Sequence, residues 1–172
     1  AQPIISYNYG ANNAYRVKKA FRLLLISCLT YSAVLWLLAM VVPNMFAAIF
    51  TSDPALTEIT VWALRIYMGG CLLFGAQIAC QQTFIALGNA KTSAFLAMFR
   101  KIIVLIPLIY ILPMFIEDKV MAVFLAEPIA DILAVLTTVT MFVLFFKKLL
   151  RNMDEEHVEE AKQQTQLEEK EA

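Results

Sequence analysis

The chain has 172 residues, of which 60% are hydrophobic and 16% charged, with 14 basic and 14 acidic side chains. Globular domains run at about 45–50% apolar and ~25% charged, so a water-soluble domain is excluded and a membrane-embedded chain is implied. The zero net charge hides an asymmetry: residues 1–151 hold 12 basic and 6 acidic side chains, while the tail holds 2 and 8. The basic residues lie against apolar runs, which excludes a nucleic-acid partner as the reading of that charge.

The chain opens without Met on AQPIISYNYG, which reads as the last turns of a helix and as a piece of something longer. Gly10 can adopt the left-handed conformation that ends a helix, and Asn12 or Asn13 can cap the next one. Residues 1–11 are thus expected to be the end of one transmembrane helix and a turn. The stretch NNAYRVKKAFR places Arg16, Lys18, Lys19 and Arg22 before 28 uncharged residues, Leu23 to Phe50. A bilayer crossing needs ~20 residues, and a basic flank holds its end in the cytoplasm.

Four spans follow, at about residues 21–50, 55–90, 92–116 and 120–146. Pro43 predicts a kink or early stop near the outer end of the first. Ser52 or Asp53 and Pro54 supply a cap and a first helical position. Pro107 and Pro113 predict bends in the third span. The connections expected inside carry eight basic residues, and those expected outside carry only Lys119. This bias puts the C-terminus in the cytoplasm. Residues 12–150 therefore read as an all-α four-helix membrane unit. Residues 151–172 read as an acidic tail, disordered or a frayed helix, in which His157 is solvated.

No phosphate loop, metal-ligand cluster or catalytic triad is present in the sequence, so no enzyme, cofactor or metal site is expected. Cys28, Cys71 and Cys80 lie in apolar runs as free thiols. The informative groups are polar residues within the spans, since each is costly in lipid unless it faces protein or a wet cavity. At 100° per residue, Gly70, Gln77, Gln81 and Gly88 share one line on the second span. They could be helix–helix contacts or line a substrate cavity. Arg65 lies on another face. Arg100 and Lys101 on the third span can snorkel to the cytoplasmic interface.

Glu127 and Asp131 share a face of the fourth span, one turn apart, unless Pro128 marks the true helix start and leaves Glu127 at an interfacial cap. By depth, at ~1.5 Å per residue from the outer end, Arg65 is the cation nearest Glu127. A Glu127–Arg65 pair near the outer gate is expected on that ground.

SYNYGANNAYRVKKA, QQTFIALGNAKTSAFLAMFRKIIVLIPLIYILP and AEPIADILA together resemble the multidrug and toxic compound extrusion (MATE) transporters. The resemblance covers most of residues 1–148. It implies that the four spans are the ninth to twelfth helices of a twelve-helix, two-lobed transporter in the cell membrane. It also implies export of small amphipathic or cationic substrates in exchange for Na⁺ or H⁺ by alternating access. Some family members carry a cation-binding carboxylate in the tenth helix, where this chain has Gln77 and Gln81. The coupling-ion site is therefore expected in the N-terminal lobe, the partner that this chain lacks. Related lipid-linked oligosaccharide flippases share the architecture, and a non-transporting scaffold from a truncated gene is the remaining alternative.

Overall fold

The computed structural model describes the backbone of residues 1–171 and the side chains of residues 1–156. Its order is α1 (Gln2–Gly10), α2 (Ala14–Val41), α3 (Pro43–Phe50), α4 (Pro54–Tyr67), α5 (Cys71–Ala86), α6 (Ala90–Met98), α7 (Ile106–Phe115) and α8 (Lys119–Glu171). A 3₁₀ turn at Met68–Gly70 joins α4 to α5, and a π-helical segment at Phe99–Leu105 joins α6 to α7. The fold is all-helical among the described residues. Four stretches are long and apolar enough to cross a membrane: Ala14–Val41, Pro54–Ala86, Ala90–Phe115 and Lys119–Glu156.

The helix ends follow local chemistry. Asn13 caps α2, its side-chain oxygen accepting from the Arg16 N–H at 3.0 Å. The left-handed residue of this turn is Asn12, with φ 50°, and not Gly10, which remains helical. Asn tolerates that conformation because its short polar side chain bonds locally. Because α2 starts at Ala14, Arg16, Lys18, Lys19 and Arg22 lie on its first turns and not in a loop.

Pro43 divides the first span into two helices, with Val42 non-helical at φ −124° and ψ 50°. Proline disfavours the helical region for the residue before it. Asp53 accepts from the Ala55 N–H at 2.9 Å, and Pro54 opens α4. Asp118 accepts from the N–H groups of Val120 and Met121 at the start of α8. Pro128 sits inside α8, so Glu127 is not a cap. Continuing to Glu171, α8 carries helix into the acidic tail where a disordered or frayed segment was expected. The side chain of His157 lies outside the described residues.

Two packing devices hold the bundle. Gly75 brings α5 onto α2: a Cβ there would lie 2.5 Å from the Cys28 carbonyl oxygen and 2.7 Å from Ser32 Oγ. On α8, Ala122, Ala126, Ala130 and Ala134 form a buried small-residue column that lets neighbouring helices approach closely. Towards the basic end, Phe21, Phe84, Phe142 and Phe146 form an aromatic core. The Phe142 ring lies 4.7 Å from Phe21, 5.2 Å from Phe84 and 5.0 Å from Phe146, centroid to centroid.

Candidate functional site: a charged cluster within the bundle

Three irregular features meet at one place: the 3₁₀ turn, the π segment and Pro128 of α8. The π segment begins eight residues before Pro107, whose missing N–H releases a carbonyl one turn earlier. Wider i→i+5 turns are the local response, and such segments recur at functional positions. The segment carries Arg100 and Lys101 to the face of α8 that holds Glu127 and Asp131. Those two carboxylates share that face because four residues close to a full helical turn.

The Arg100 Nε donates to Asp131 Oδ1 at 2.6 Å, and its Nη2 donates to Glu127 Oε1 at 2.8 Å. A further Nη2 contact reaches Asp131. The guanidinium lies over the Phe74 ring at 4.8 Å, a cation–π contact that adds to its confinement. Lys101 Nζ lies 3.5 Å from Glu127 Oε1. The Arg100, Glu127 and Asp131 side chains are only 15%, 10% and 8% exposed, while Lys101 is 57% exposed. Two cations and two carboxylates therefore form a neutral cluster, and charge neutrality is what makes such groups tolerable away from water.

Gly70 belongs to this cluster. A Cβ at that position would meet the Asp131 Cβ at 2.7 Å and the Pro128 Cα at 3.3 Å. Its lack of a side chain lets the 3₁₀ turn sit directly against the carboxylate-bearing turn of α8.

The expected Glu127–Arg65 pair does not form. Glu127 is bound by Arg100 and Lys101, and Arg65 is exposed on α4 with no ion pair among the described residues. Depth alone suggested Arg65. Proximity through the short turn at 116–118 is the stronger constraint, since sequential helices are usually neighbours. The expectation that Arg100 snorkels fails for the same reason: it is paired inside the bundle.

The four-residue stripe also divides. Gly70 faces α8, and Gly88 sits in the following turn with φ 78° and open space around it. Gln77, 2% exposed, and Gln81 lie between them on α5. Gln77 Oε1 and Gln81 Nε2 are buried with no hydrogen-bond partner among the described residues. The 100° count does not pass through the 3₁₀ turn, which advances by three residues per turn, so Gly70 leaves the line of the glutamines. Gln82 instead bonds Gln2 of α1. Of the bend candidates, Pro43 separates α2 from α3, Pro107 follows the π segment, and Pro113 lies one turn from the end of α7. Among the described residues no group of three or more His, Cys, Asp or Glu side chains is placed to hold a metal ion.

Sequence reasoning missed the role of Phe74 and the convergence of Arg100 with both carboxylates. The short third turn was the available signal for the second. Nothing in the local pattern marked the first.

The family model described as MatE matches residues 1–111. The chain is 34% identical to a solved MATE multidrug transporter, DinF-BH in complex with rhodamine 6G, over 83% of this chain and 31% of that one, with a TM-score of 0.75. This chain belongs to the MATE family. Two further MATE structures of the MOP superfamily show the same fold at 16% identity. The inward-facing one has a TM-score of 0.81 over 87% of this chain and 35% of that chain. The outward-facing one has a TM-score of 0.79 over 87% and 34%. No curated protein matches the chain. The chain thus spans about a third of the length of the MATE transporters it matches.

Proposed function

We propose that this chain is the greater part of the C-terminal lobe of a multidrug efflux transporter, which exports small amphipathic or cationic compounds. The observation that carries this reading is a MATE fold enclosing a charge-balanced cluster. In that cluster Arg100, bound to Glu127 and Asp131, ties the π segment to α8. The fold aligns almost equally well with inward- and outward-facing relatives. Such a match supports a lobe that moves as a unit, with the cluster holding its helices together during the movement.

Transport is in exchange for Na⁺ or H⁺, with the coupling site in the N-terminal lobe. The charge balance of the cluster supports that location: both intramembrane carboxylates already have a cation, and none is left to hold a second. The basic connections support a cytoplasmic C-terminus in the cell membrane. A lipid-linked oligosaccharide flippase would need a basic cavity for phosphate. The α5 face carrying Gln77 and Gln81 is neutral, which favours drug efflux. A scaffold role would leave the cluster without a moving partner lobe.

The test is dye export in efflux-deficient cells, using rhodamine 6G. A whole transporter carrying this segment should lower dye accumulation, and collapse of the Na⁺ or H⁺ gradient should restore it. Movement of lipid-linked oligosaccharide without dye export would overturn the reading.

A further inference from the structure

Between α2 and α8, away from the charged cluster, lies an open groove with a volume of about 1020 Å³. This exceeds the upper end of the ~300–1,000 Å³ typical of small-molecule pockets. Its floor is apolar, formed by Leu29, Phe142 and Phe146 among others, and its rim carries Lys18, Lys19, Arg22 and Lys147. All four basic side chains are exposed, and no acidic residue lines the groove. Arg16 and Lys148, on the same turns, do not line it. The basic rim is thus gathered from two helices that lie far apart in sequence. Tyr15, 74% exposed, stands at the same end, as amphipathic rings do at a membrane interface.

We propose that this groove binds an anionic phospholipid of the cytoplasmic leaflet, its phosphate held by the four basic residues and an acyl chain lying on the aromatic floor. Charge complementarity selects the occupant. Acyl chains alone would suit an apolar groove anywhere along the span, but only this end collects four cations. Basic pockets between transmembrane helices on the cytoplasmic side suit anionic headgroups. The aromatic floor requires an attached hydrocarbon, which a free phosphate lacks. A neutral lipid would leave the four cations without a counter-charge. The inference does not depend on what the transporter exports.

The test uses the protein in nanodiscs, with Trp36→Phe and Trp62→Phe removing the native tryptophans and Leu25→Trp reporting from the groove. Brominated phosphatidylglycerol and brominated phosphatidylcholine are compared as quenchers at matched mole fraction. The anionic lipid should quench with a relative affinity on the order of tenfold greater, each neutralised cation removing roughly fivefold at most. Lys18→Gln, Lys19→Gln, Arg22→Gln and Lys147→Gln together should bring the two lipids to parity. Exchanging Lys for Arg and Arg for Lys at these positions should retain the preference. If circular dichroism shows that the fourfold variant loses helix, the Lys18→Gln/Arg22→Gln pair replaces it, with a partial loss of preference expected. Equal quenching in the parent protein, including quenching reduced equally by self-association over the groove, would overturn the proposal. So would an anionic preference that survives neutralisation.

Discussion

The two ends of α8 teach different lessons. Around Phe142 and Phe146 the bundle is apolar, regular and closed by ring contacts of about 5 Å. Around Glu127 and Asp131 it is charged, and the surrounding helix is irregular: a 3₁₀ turn beside it, a π segment against it and a proline within it. In lipid the apolar end gains little from burial alone, because acyl chains are as apolar as Phe, and packing supplies its stability. The charged end is held by an all-or-none balance, since removing one partner strands another away from water. The first region should therefore fail gradually and the second abruptly.

The largest effect should come from breaking the charge balance. Arg100→Leu leaves Asp131 without a cation and Glu127 with Lys101 alone, and should cost about 3–5 kcal/mol of stability. Thermal unfolding in detergent checks this, and a loss no larger than that of an exposed-site change would erase the contrast between the two ends.

Close backbone approach comes next. Gly70→Val and Gly75→Val each force a side chain into atoms now under 3 Å away, and each should cost about 1–3 kcal/mol. Gly75 meets backbone and Gly70 meets the carboxylate turn. Dye export should fall further with Gly70→Val than with Gly75→Val at matched protein level.

At the aromatic end, Phe142→Leu keeps most of the volume and should lose about 0.5–1.5 kcal/mol of ring pairing, with export per molecule unchanged. An export defect there would make the apolar end part of the working site. The smallest effect is expected at Gln77→Leu. Its Oε1 has no partner among the described residues, so replacing the amide should shift stability by less than about 1 kcal/mol. A loss of export at full protein level would place Gln77 at the substrate.

Much of this was legible in the sequence. The four spans follow from uncharged runs longer than a bilayer, and the breaks at Pro43 and Pro54 from proline chemistry. The cap at Asn13 was among the expected ones. The side-by-side carboxylates Glu127 and Asp131 were visible because a four-residue spacing survives any regular helix. Their partner was not, because pairing depends on rotation about each axis. One 3₁₀ turn in the second span and one π segment in the third shift that rotation by amounts that composition does not encode. The same shift removed Gly70 from the glutamine line and placed it against Asp131. Arg65, assigned by depth on a straight-rod count, illustrates the limit of depth without rotation.

The central claim is that Arg100 and Asp131 form one unit within the lobe. A double-mutant cycle on thermal stability tests it most directly, comparing Arg100→Gln, Asp131→Asn and the two together, with Arg65→Gln as the control. Neutralising both should recover stability relative to Arg100→Gln alone, because no charge is stranded, while Arg65→Gln should be near neutral. Losses that simply add in the double variant, or a larger loss for Arg65→Gln than for Arg100→Gln, would contradict the account.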